Sequence, residues 1–249
     1  MNREARREAE LAAVRRRKQM RMARNIAILA VPLVVLLVII QVRSGGGSEP
    51  NRKYSKPPAP ALKPDTTYTA TIDTSEGKMV VALDAAAAPT SVNNFVFLAK
   101  HEFYDGLTFY RVAKDFVIQG GDPQANGKGG PGYQIQAETP ASGYQVGSVA
   151  WAKGGQAPPG TAGSQFFVVT SPAPAAGQGL DALNQQPYQY GIIGSVTEGL
   201  DVAQKIGALA NPNATDDPAT QRPTKKVTIK KVTIAEAPSS TAGSVPPSS

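Results

Sequence analysis

A mainly β domain, closed as an antiparallel barrel and capped by helices, is what the sequence of 249 residues predicts. Three observations carry that expectation. Short apolar runs separated by glycine-rich loops recur through the middle of the chain. Alternating polar and apolar residues mark the two ends of the same region. Two stretches carry the apolar spacing of helices. Ahead of this domain lies a long apolar segment, read as one N-terminal transmembrane helix.

Taken in chain order, residues 1–24 are a basic segment, with nine Arg/Lys against three Glu. Residues 25–42, NIAILAVPLVVLLVIIQV, carry no charge. As a helix they would span about 27 Å at roughly 1.5 Å per residue, close to the ~30 Å core of a bilayer. Arg24 and Arg43 bracket the run, and Pro32 is better tolerated in a membrane helix than in a soluble one. Lys and Arg concentrate on the cytoplasmic side, so the N-terminus is placed in the cytoplasm and the remainder outside the membrane. A cleaved signal peptide fits less well, because 24 residues precede the run and QVRSGGG after it offers no small-residue cleavage site. A buried soluble helix fits less well again, since the run is apolar on every face.

Residues 43–66 read as a Gly/Ser-rich then Pro-rich linker, and 237–249 as a disordered low-complexity tail. Between them, 67–236 are enough for one domain. TYTATIDT alternates, Ser75-Glu76-Gly77 turns, and KMVVALD alternates again, which reads as a hairpin. PTSVNNFVFLAK reads as a helix, with Pro89 in its first turn and Val92, Phe95, Val96 and Ala99 on one face. LTFYRV, FVIQG, VGSVAWA, SQFFVVT and YGIIGSV follow as short strands. TEGLDVAQKIGAL is the second helical stretch, and KKVTIKKVTIA the closing strand.

Composition excludes several chemistries. There is no cysteine, so no disulfide, thiol nucleophile or Cys-based zinc site is available. The one histidine, His101, sits in LAKHEFYDG, which carries no metal or triad motif. It reads as a solvent-facing residue at a helix C-terminus. No metal or cofactor is expected. The net charge of +7 lies at the N-terminal end, and the domain itself is close to neutral, so a nucleic-acid partner is not expected. Gly-rich NGKGGPG lacks the lysine-serine ending and following helix of a phosphate loop. Asp122 reads as a turn-fixing residue beside Gly120-Gly121.

FYDGLTFYRVAKDFVIQGGDP, NGKGGPGY and GTAGSQFFVVT, in that order and spacing, resemble the cyclophilin family of peptidyl-prolyl cis-trans isomerases. The N-terminal anchor resembles the arrangement in membrane-tethered actinobacterial members. The resemblance implies an eight-stranded antiparallel barrel with a helix at each end, and a shallow groove on its outer face for X-Pro peptide bonds. It implies a catalytic role for Arg111. It implies substrate contacts from Phe116, Val117, Gln119, Gln165, Phe167 and Leu180, and backbone pairing through Trp151, Ala152 and Lys153. For Trp151 a place in the strand core is an equal alternative.

Arginine suits this reaction, because rotating an amide breaks no bond. It needs stabilisation of a twisted state rather than a nucleophile. Three departures from the family pattern stand out. Gly179 replaces the tryptophan of cyclosporin-sensitive relatives, so weak cyclosporin binding is expected. Tyr190 replaces the pocket histidine. The loop from Lys153 is about three residues longer than usual, and Lys153 stands where asparagine is common. The implied partners are proline-containing segments of unfolded or envelope proteins, with the membrane held through the N-terminal helix. A non-catalytic Pro-segment binding module or an envelope chaperone is the alternative function.

Overall fold

This computed structural model describes residues 50–154, 156–172, 179–185 and 187–239. The expected transmembrane helix, the basic segment before it and nearly all of the expected tail lie outside the described residues. Among the described residues no helix is long and apolar enough to cross a membrane.

The first hairpin forms as its alternation predicts. β1 (Thr66–Thr74) and β2 (Gly77–Leu83) pair antiparallel, with Tyr68 opposite Leu83, Ala70 opposite Val81 and Ile72 opposite Met79. All six of these side chains are buried, so one face of the ribbon meets the core and the other meets solvent. α1 (Pro89–Lys100) packs Val92, Phe95, Leu98 and Ala99 into the same core. β3 (Arg111–Ala113), β4 (Val117–Gly120), β6 (Ser148–Trp151), β8 (Phe166–Val169) and β9 (Ile192–Glu198) continue the sheet. β10 (Ile229–Pro238) pairs with β1 at the other end. β5 (Ile135–Gln136) and β7 (Thr161–Ala162) form a separate two-stranded ribbon. α2 (Gly179–Leu183) is a single turn, and α3 (Leu200–Gly207) buries Ala203 and Ile206.

The eight-stranded sheet runs β10-β1-β2-β9-β6-β8-β4-β3. The expected closed barrel is corrected here, because β3 and β10 do not form a ladder. The seam is held by an isolated bridge between Thr108 and Thr228, with the Phe109 amide donating to Val227 and the Ile229 amide to Leu107. Further along, the outer edge of β3 is met by a loop: the Val112 amide donates to the Gln221 carbonyl at 2.8 Å. β3 is only three residues long, too short to reach β10 along its whole length. The two expected capping helices are α1 and α3, and α2 is additional.

Residues 50–65, assigned to the linker by composition, run as a strap against the domain. Arg52 donates to the carbonyls of Phe103 and Asp105. The Tyr54 amide donates to Pro131, and its ring packs edge-on to Phe97 at 5.1 Å. Gly132 has φ +97°, and a Cβ there would lie 2.6 Å from the Tyr54 carbonyl oxygen. Glycine is therefore what allows the strap to lie flat on this loop. Asn93 of α1 exchanges two hydrogen bonds with the strap, accepting from Ala61 and donating to Ala59.

The N-terminus of α1 is capped from a distance. Ala88, at the N-cap, has no side chain able to serve. Glu138 accepts instead from the Thr90 amide, the Ser91 amide and the Ser91 hydroxyl, which also places a negative charge at the positive end of the helix. Burial pushes the Glu138 carboxyl up, but the Ser91 and Thr90 bonds outweigh it and hold it below its ordinary value. Glu138→Gln should cost about 1 kcal/mol of stability at neutral pH. The folded state favours the ionised form, so this contribution is full above the ordinary carboxyl value of 4.5 and fades as pH falls through the depressed one. Urea melts of both proteins should therefore converge in acid. A gap that persists well below that value would show that the charge is not what matters.

Candidate active site

The β3–β4 hairpin builds the site. Its turn contains Asp115 at φ +52°, and its register places Arg111 opposite Gln119. Gln119 in turn lies opposite Phe167 of β8, and Phe167 opposite Ala150 of β6. Side chains alternate across a sheet, so these four share its outer face. Val112, Ile118, Val168 and Val149, one position along each strand, are buried in the core. The next outward row is Ala113, Val117 and Val169. The outer face is thus an apolar field with one arginine at its edge. Leu180, Leu183, Tyr188 and Tyr190 cover part of this field, packing on Val117, Phe167 and their neighbours.

A cavity of about 350 Å³ remains open on that face. Of the residues expected at the site, Arg111, Phe116, Val117, Gln119, Ala152, Lys153, Gln165, Phe167 and Tyr190 line it. Two expected residues do not. Trp151 is 1% exposed and packs against Phe95 in the core, so the core alternative describes its side chain. Leu180, partly exposed, packs against the apolar cluster without lining the cavity, and Leu183 lines the wall instead. Tyr190 stands edge-on to Phe167, with centroids 5.4 Å apart at 89°, and so forms an aromatic wall. Lys153 lies 5.8 Å above the Tyr190 ring while donating to the Ala157 carbonyl.

Arg111 is fixed from two sides. Its Nη1 donates to Gln119 Oε1 at 2.9 Å and its Nε to Gln221 Oε1 at 2.8 Å. Gln119 passes its own N–H to the Tyr110 hydroxyl and to Gln165 Oε1, and Gln165 donates to the Gly129 carbonyl. Burial lowers the Arg111 pKa, yet a guanidinium starting this high stays charged. Burial pushes the Tyr110 hydroxyl well above the usual phenol range, and the charge of Asp122 adds to that, so it remains a neutral link in the chain. Among the described residues no carboxylate and no histidine lines the cavity. Asp122 is buried and accepts from the Gln124, Asn126 and Gly127 amides, fixing the turn as expected. His101 is exposed at the C-terminal cap of α1, its Nδ1 2.8 Å from the Phe97 carbonyl.

Sequence reasoning missed Gln221 and Arg222. Gln221 lies 110 positions from Arg111 in a polar loop and belongs to no motif. Arg222 stacks on the Tyr110 ring at 5.5 Å and donates to the Tyr110 and Ala125 carbonyls. Gln221→Ala should lower kcat/KM about tenfold by freeing one side of Arg111, with little change in melting temperature. Unchanged turnover would mean that Gln119 alone orients the guanidinium.

Comparisons with known proteins show the family. The family described as cyclophilin type peptidyl-prolyl cis-trans isomerase/CLD matches residues 69–234. Peptidyl-prolyl cis-trans isomerase B of Bacillus subtilis is 40% identical over 134 residues, covering 52% of this chain and 82% of that protein. A probable peptidyl-prolyl cis-trans isomerase A of Mycobacterium bovis is 35% identical over 187 residues, covering 69% of this chain and 94% of its own. A Cryptosporidium parvum cyclophilin-type isomerase, solved in the presence of the dipeptide Ala-Pro, superposes with a TM-score of 0.55. It is 27% identical and covers 67% of this chain and 98% of its own. On these grounds the chain belongs to the family of cyclophilin-type peptidyl-prolyl cis-trans isomerases.

Proposed function

We propose that the protein accelerates rotation about X-Pro bonds in proteins outside the cytoplasmic membrane, to which its N-terminal segment tethers it. The observation that carries the catalytic part is Arg111, clamped by Gln119 and Gln221 beside a cavity whose apolar lining includes Phe116, Val117 and Phe167. An amide resists rotation by about 18–20 kcal/mol because its nitrogen lone pair is conjugated. In the twisted state that lone pair is freed and becomes an acceptor. The Arg111 guanidinium donates to it, while Phe116, Val117 and Phe167 hold the proline ring and the rest of the peptide turns. The clamped cation needs no reorganisation as the nitrogen pyramidalises, so the twisted state gains more than either planar one.

The location rests on the charge-free run 25–42 and the basic residues before it. Weak cyclosporin binding belongs to the same reading, from glycine at position 179. NMR exchange on an Ala-Pro peptide with the full chain tests the activity, and protease access in sealed vesicles tests the topology. A folded chain that binds the peptide without raising its exchange rate would favour the binding-module alternative. Cleavage of the domain only after vesicle rupture in right-side-out vesicles would place it inside.

A further inference from the structure

We infer that a second chamber beside the proline cavity takes an acidic side chain of the substrate, and that the strap ahead of the domain supplies part of its wall. This rests on the isomerase reading of the first cavity. The chamber, of about 650 Å³, shares Gly127, Ala152, Lys153, Gly154 and Gln165 with that cavity. A peptide held by its proline in one therefore reaches the other with a neighbouring residue. Three lysines line it: Lys53 from the strap, Lys128 from the glycine-rich loop and Lys153 from the loop that follows β6. Among the described residues no carboxylate does.

Among the described residues none of the three is in an ion pair. Lys53 donates to the Gly130 carbonyl at 3.3 Å and Lys153 to the Ala157 carbonyl at 2.9 Å, both neutral acceptors. Asp122, buried beneath the loop, has its oxygens occupied by three backbone amides. Two more cations, Arg111 and Arg222, line the adjoining cavity. A groove lined by charges of one sign, in a domain that is nearly neutral elsewhere, concentrates and selects the opposite charge. Lys53 is held in place by its neighbours, since Arg52 and Tyr54 are both bonded to the domain.

The test uses the full chain and a set of Ala-Pro peptides in which Asp, Ala or Lys is walked from three residues before the proline to three after it. At low ionic strength, Asp on one side of the proline should raise kcat/KM about five- to tenfold over Ala, and Lys should lower it. The Asp/Ala ratio should fall towards one in Lys53→Gln, further in Lys53→Gln with Lys128→Gln, and in high salt. Glutamine keeps a long side chain and a donor, so the strap stays seated; circular dichroism and melting temperature verify it. A ratio below about two at every position in the wild type overturns the proposal, as does a ratio that survives the double substitution. Failure of the all-Ala peptide to be turned over would instead strike at the isomerase reading.

Discussion

Arg111→Ala is expected to lower kcat/KM on an Ala-Pro peptide by about 10²–10³-fold, the range for removing one preorganised donor from a developing acceptor. The loss should fall on kcat, since Phe116, Val117 and Phe167, which line the cavity and are proposed to hold the proline ring, remain. Stability should change little. Arg111 faces outward from a strand at the edge of the sheet, and of the glutamines it leaves behind, Gln119 lines the open cavity and Gln221 is partly exposed in its loop. Arg111→Lys should be nearly as damaging. A single ammonium cannot bond Gln119 and Gln221 in the plane that a guanidinium uses and still present a donor to the amide. A variant that keeps wild-type kcat would remove the arginine from the mechanism.

Phe166→Ala should cost about 3–5 kcal/mol of stability. Phe166 is fully buried and meets Phe95, Tyr104 and Phe109 edge-on, with centroids 5.8, 5.6 and 5.9 Å away. At about 2–4 °C per kcal/mol for a domain of this size, the melting temperature should drop by roughly 10 °C. Its neighbour Phe167 points the other way, into the groove wall. Phe167→Ala should therefore raise KM, whereas Phe166→Ala should leave KM near wild type where the protein remains folded. Denaturant melts and steady-state kinetics on the pair separate the two faces. A loss below about 1 kcal/mol at Phe166 would mean that the aromatic core refills the space.

Much of this was readable from residues alone where the physics is local. The hairpin of β1 and β2 and the span of α1 follow from periods of two and 3.6, because each element buries one face. The sheet's outward field was not readable that way. Phe116, Val117 and Phe167 look like core residues, and only the resemblance moved them to the groove. Tyr190 and Lys153 were placed there by the same route. Gln221 left no trace, since a glutamine in a polar loop acquires its role from strand register far away. The strap was hidden by composition: Pro-rich and polar residues read as a linker, and what pins 50–65 is mainly hydrogen bonding to backbone carbonyls, which sequence does not advertise. Trp151 shows the limit of alternation in a strand flanked on both faces, where either direction is apolar.

The loop that fills the seam between β3 and β10 gives the enzyme a weak point distinct from its core. Residues 209–226 hold themselves mostly by short-range bonds, such as Thr224 to Leu209 and those joining Thr215, Asp217 and Thr220. Their grip on β3 includes the bond from Val112 to Gln221. Such a segment opens at a smaller free energy than the sheet it decorates. When it does, Arg111 keeps Gln119 and loses Gln221, and the eight-stranded sheet stays intact. On warming, the protein should thus pass through a disarmed but folded form, so that working temperature is set by this one flap and melting temperature by the aromatic core. Stiffening the flap would extend the useful range of the enzyme without adding anything to the stability of its core.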